Sequence, residues 1–127
     1  MTNISGSWAM HGIALAPDGS TMYEWDADMQ IDAETGTETG HAKVVMETSG
    51  IKSSRSISYA EKLVIQPNGE IQLRYGYEAD PDHEATQDHD FFGLSQLTFA
   101  PDGQTAQGTS CNYNGRYVIM QIELKRA

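Results

Sequence analysis

The sequence predicts an all-β fold, a single antiparallel up-and-down barrel of about eight strands. Three observations carry that expectation. Nearly the same phrase occurs three times, as LAPDGST at Leu15–Thr21, IQPNGEI at Ile65–Ile71 and FAPDGQT at Phe99–Thr105. The stretches between the phrases alternate apolar and polar residues with a period of two. No stretch sustains a 3.6-residue apolar pattern.

The repeated phrase is a strand reversal with a mechanism. Pro17, Pro67 and Pro101 preset φ, Asp or Asn follows, and Gly19, Gly69 and Gly103 take the left-handed position that closes the turn. The strands fall between such signals. The first runs Ser5–Leu15. The second, Thr21–Ile31, is the clearest, with Tyr23, Trp25, Ala27, Met29 and Ile31 on one face and Glu24, Asp26, Asp28 and Gln30 on the other. His41–Thr48 and Ile57–Ile65 follow. Glu70–Glu78 sets Ile71, Leu73, Tyr75 and Tyr77 against Gln72, Arg74 and Glu78. After a polar loop, Ala79–Asp90, come Phe91–Ala100, Thr105–Gly115 and Arg116–Arg126. A meander of this length has two open edges, and closing it into a barrel removes both. The 127 residues are read as one domain, 1–127, with enough chain for a core.

Gly6-Ser7-Trp8, at the start of the first strand, resembles the Gly-x-Trp that opens lipocalin-type (calycin) barrels. The resemblance implies a Trp plug, Trp8, at the closed end, packed against a basic residue of the last strand. Arg116, Lys125 and Arg126 are available for that role, and Arg126 is favoured by position. It also implies a barrel whose interior takes a small ligand.

Charge narrows the partners. The formal net charge is −10. No Lys or Arg occurs from Met1 to Ala42 or between Arg74 and Arg116. Such a chain repels duplex nucleic acid and anionic membranes, so neither is expected as a partner. Cys111 is the only cysteine, which excludes an intramolecular disulfide and suits a cytoplasmic location. Its neighbours in sequence include no cation, so a buried, inert thiol is expected.

Chemistry is sparse. His83 and His89 lie with Asp88 in the acidic loop and could ligate a metal, but their spacing matches no known cage, and no metal or cofactor is expected. Glu24, Asp26 and Asp28 read as a solvated outer face. No nucleophile elbow or phosphate-binding loop is present, so an enzyme is the less favoured reading. Alternation points Trp25, Tyr59, Tyr75 and Tyr77 inward, where rings and hydroxyls could line a cavity. The expected function is therefore non-enzymatic binding of an apolar or aromatic small molecule by a cytosolic barrel. The alternatives are an acidic interaction module, of inhibitor or immunity type, that binds a basic protein, and a barrel-type isomerase or cyclase.

Overall fold

A computed structural model describes residues 3–35, 39–48, 54–82 and 90–127. It is an all-β closed barrel of eight antiparallel strands in chain order. They are β1 Gly6–Leu15, β2 Thr21–Thr35, β3 Thr39–Thr48, β4 Ser54–Ile65, β5 Ile71–Ala79, β6 Phe92–Phe99, β7 Thr105–Tyr113 and β8 Tyr117–Arg126. The closing pair is β1 with β8, where Trp8 stands opposite Arg126 and Leu15 opposite Ile119.

The three repeated turns reverse the chain as their chemistry requires. Gly19, Gly69 and Gly103 have φ of 86°, 90° and 69°. Each donates its N–H back to the carbonyl that opens the turn, of Ala16, Gln66 and Ala100. The Pro67 and Pro101 turns lie with the chain ends at one end of the barrel, called here the floor. The Pro17 turn and the 114–116 turn lie at the other, the mouth.

The floor is an apolar plug. Trp8, Phe99, Ile71, Leu73 and Leu97 are all fully buried, and Trp8 meets Phe99 edge-on with ring centroids 5.1 Å apart. Arg126 lies over the indole, its guanidinium carbon 4.2 Å from the ring centroid. Its nitrogens donate to the carbonyls of Asn3, Ser5 and Gly103. One side chain thus stacks on the plug, satisfies the backbone around it and clasps both ends of the chain together.

One strand departs from simple alternation. Ala60 has a φ of 51°, and the β4–β5 register shifts between Tyr59 and Lys62. A bulge of this kind adds a residue to one strand and reverses which side faces inward. Below it Leu63 is buried; above it the buried residues are Ser58 and Ser56, and Tyr59 is 43% exposed. Tyr59 lies outside the barrel against Gly76, where an added Cβ would fall 2.5 Å from its ring. The expectation that Tyr59 points inward is therefore corrected, because the bulge inverts the upper part of β4. Cys111 is corrected as well: it is half-buried on the outer face, since β7 turns Ser110 and Asn112 inward on either side of it.

Candidate functional site

Toward the mouth the interior becomes polar. Ser56 and Ser58 on β4, Ser95 on β6 and Ser110 on β7 are the buried polar residues among those described, and all belong to this half of the lumen or its midsection. Two tyrosines of β5 stand among them. Tyr75 stands opposite Ser95 in register. The Tyr77 hydroxyl meets Ser110 Oγ at 2.9 Å and donates to Asn112 Oδ1 at 2.8 Å. Ser95 Oγ donates to Ser110 Oγ at 3.1 Å. A continuous ladder of hydroxyls and one amide thus runs across β5, β6 and β7.

Burial sets the chemistry of the two phenols. Desolvation raises the Tyr77 pKa to about 12, opposed in part by the bond from Ser110. Tyr75 is pushed higher still by the same cause. Both are neutral hydrogen-bonding groups at physiological pH, so neither can act as an anionic base.

The opposite wall, β1–β2, is different in kind. Trp25 is partly buried and faces the lumen with Ala27 and Met29. Its indole lies against Gly12, where an added Cβ would fall 2.3 Å from the ring. Tyr77 uses Gly93 in the same way, with the equivalent distance 2.4 Å to its hydroxyl. Each ring is laid along the wall on a neighbouring glycine instead of standing across the lumen. In a ring of eight strands β2, which carries Trp25, lies opposite β6, which carries Gly93.

Of the four expected ligand residues, the fold brings Trp25, Tyr75 and Tyr77 to one lumen and leaves Tyr59 outside. The residues that complete the site, Ser56, Ser58, Ser95, Ser110 and Asn112, were not expected. Trp8 and Arg126 stand opposite one another at the floor, with the guanidinium over the indole. His83, Asp88 and His89 lie outside the described residues. Among the described residues no group of three or more His, Cys, Asp or Glu side chains is placed to hold a metal ion. The acids of β2 are on the outer wall, where His11 bonds Asp26 at 2.8 Å and Glu24 at 2.9 Å. Those bonds, Asp26 first, raise the imidazole pKa above its ordinary value.

The barrel thus has a polar mouth, with two aromatic rings laid on glycines, above an apolar plug. The model of the Cap15 cyclic dinucleotide receptor domain matches residues 1–126. The chain belongs to that family. No curated protein and no solved structure matches it. The lipocalin resemblance therefore extends to the small eight-stranded barrel, while membership lies with the Cap15 receptor domains.

Proposed function

We propose that this chain is a receptor for a cyclic dinucleotide, taken at the mouth of the barrel between Trp25 and Tyr77. The observation that carries the reading is the pair of rings laid on Gly12 of β1 and Gly93 of β6. A ligand with two bases needs two stacking surfaces, and base–aromatic stacking contributes about 1–3 kcal/mol per base. The hydroxyls of Ser56, Ser95 and Ser110 suit the sugar and phosphodiester oxygens. The expected aromatic ligand becomes, on this reading, the pair of nucleobases. The floor built on Trp8 supports the same view, because it closes one end and leaves the mouth as the route of entry.

The phosphates take the position nearest solvent. Among the described residues the mouth half of the lumen contains no Lys or Arg: Arg55 engages Glu47 and Asp80, and Arg126 lies at the floor. An unpaired phosphate buried there would lose its hydration with no countercharge. Binding is thus a matter of stacking and hydrogen bonding and involves no chemical step.

Isothermal titration with cyclic di-GMP, cyclic di-AMP and mixed cyclic dinucleotides tests this. At least one is expected to bind at micromolar or tighter Kd, and Trp25→Ala to weaken it about tenfold or more while the protein stays folded. Failure of every cyclic dinucleotide to bind removes the proposal. Binding that Trp25→Ala leaves unchanged moves the site elsewhere.

A further inference from the structure

We infer that Asn112 is the base-reading residue of this site, and that it selects a nucleobase presenting a carbonyl oxygen, as guanine does, over one presenting an amino group, as adenine does. The inference rests on the cyclic-dinucleotide reading and names what that site prefers.

The argument follows the protons along the hydroxyl ladder. Ser95 donates to Ser110. The Tyr77 hydroxyl has one proton, and it goes to Asn112 Oδ1. Ser110 must therefore be the donor in its 2.9 Å bond with Tyr77. Every step runs in the same direction and ends on the carbonyl of the Asn112 amide, which the structure turns toward Tyr77. An amide is otherwise free to flip, since its oxygen and nitrogen are nearly the same size and shape. Here the carbonyl end is held by the phenol, so the two N–H donors of Nδ2 face away from the ladder.

Those donors have no partner among the described residues. Asn112 is half-buried beside Ser110, on the lumen face of β7 at the mouth. It is paired in register with Gly93, the glycine that seats the Tyr77 ring. A base stacked near Tyr77 would bring its polar edge to Nδ2. The O6 of guanine accepts from such a donor. With the C6 substituent set against Nδ2, the N6 amino group of adenine, itself a donor, would oppose two N–H groups and leave both unsatisfied on burial. Across the lumen, among the described residues, the platform of Trp25 offers a ring and no comparable hydrogen-bond ladder. The two walls thus differ: one reads a base edge and the other accepts a base face.

The decisive pair of ligands is cyclic di-AMP and cyclic di-IMP, which have purines of the same size and differ chiefly in an amino against an oxo group at C6. The wild-type protein is expected to bind cyclic di-IMP about tenfold more tightly than cyclic di-AMP, the weight of one well-placed hydrogen bond. Asn112→Asp keeps the acceptor for Tyr77 and replaces the outward donors with an acceptor. It is expected to reverse the ratio, even though the added charge weakens both ligands. Asn112→Ala is expected to bring the ratio near one, and Tyr77→Phe to shrink it by freeing the amide to flip. Thermal melts accompany each variant. Equal or tighter binding of cyclic di-AMP by the wild-type protein overturns the inference and leaves the receptor reading standing, as does a ratio that both Asn112 variants preserve. Absence of binding by any cyclic dinucleotide overturns both together.

Discussion

At the floor of the barrel Trp8, Phe99, Ile71, Leu73 and Leu97 are fully buried in one apolar cluster. At the mouth the same strands offer serines, two tyrosines, an asparagine and glycines that seat aromatic rings. Both halves are enclosed by one hydrogen-bonded wall, so the backbone does not distinguish them. The difference lies in what can be exchanged. Apolar packing at the floor has no better partner than the one it has. The hydroxyls at the mouth satisfy each other, and a ligand with acceptors and donors can take over some of those bonds at little net cost. Stability is concentrated at one end of the cylinder and recognition at the other.

The sharpest way to break this division is Trp8→Ala. Emptying the plug is expected to cost about 3–5 kcal/mol in urea denaturation. A loss below roughly 1 kcal/mol would mean that the floor does not carry the fold.

Alkali should act on the other half. Tyr77 ionises near pH 12 in the folded protein and near 10 when unfolded. Between those values the unfolded state binds fewer protons than the native one, so stability falls as pH rises. A gap of about two units corresponds to roughly 2–3 kcal/mol, fully present below pH 10 and lost by pH 12. Denaturation curves at pH 9 and 11.5 measure it, and Tyr77→Phe should remove about half of the slope, the remainder belonging to Tyr75, which burial pushes higher still. A pH-independent midpoint would place Tyr77 in contact with water.

A smaller effect sharpens the comparison from within. Gly12→Ala puts a methyl where the Trp25 indole lies, and the ring must swing into the lumen. The expected cost is about 1–3 kcal/mol. Ligand affinity should fall further than stability does, because the displaced ring occupies the mouth. Tryptophan fluorescence reads the change, since Trp25 emission should shift while that of the buried Trp8 stays fixed. Unchanged fluorescence would show that the glycine is not what seats the ring.

Much of the fold was legible because turns and plugs have local chemistry. The Pro-Asp/Asn-Gly phrases each demand a left-handed glycine whatever surrounds them, and the alternation of β2 continues unbroken through Tyr23, Trp25, Ala27, Met29 and Ile31. The site was only partly legible. In β4, Ile57, Tyr59, Leu63 and Ile65 fit a single apolar face, yet the bulge at Ala60 puts Tyr59 outside and Ser58 inside. Nothing in the residue types announces that extra residue. Nothing in their residue types marks Ser95, Ser110 and Asn112 as lumen-facing, because polar residues on strands usually face solvent. Their burial follows from cross-strand register, which pairs Ser95 with both Tyr75 and Ser110, and register is a property of the whole ring.

The seam between β1 and β8 has a consequence in time. Seven of the eight strand pairings join neighbours in the chain and can form as hairpins as soon as their turns close. The eighth brings together the two extremes of the sequence, and the entropy of that closure is recovered only when the cylinder is complete. Arg126 belongs to this last event: its contacts with Asn3, Ser5 and the Trp8 ring are all made across the seam. A side chain that engages after the rate-limiting step governs how long the native state lasts, while the speed of its formation is set elsewhere. Arg126 is expected to act as a latch: in stopped-flow denaturant jumps Arg126→Ala should speed unfolding more than it slows folding.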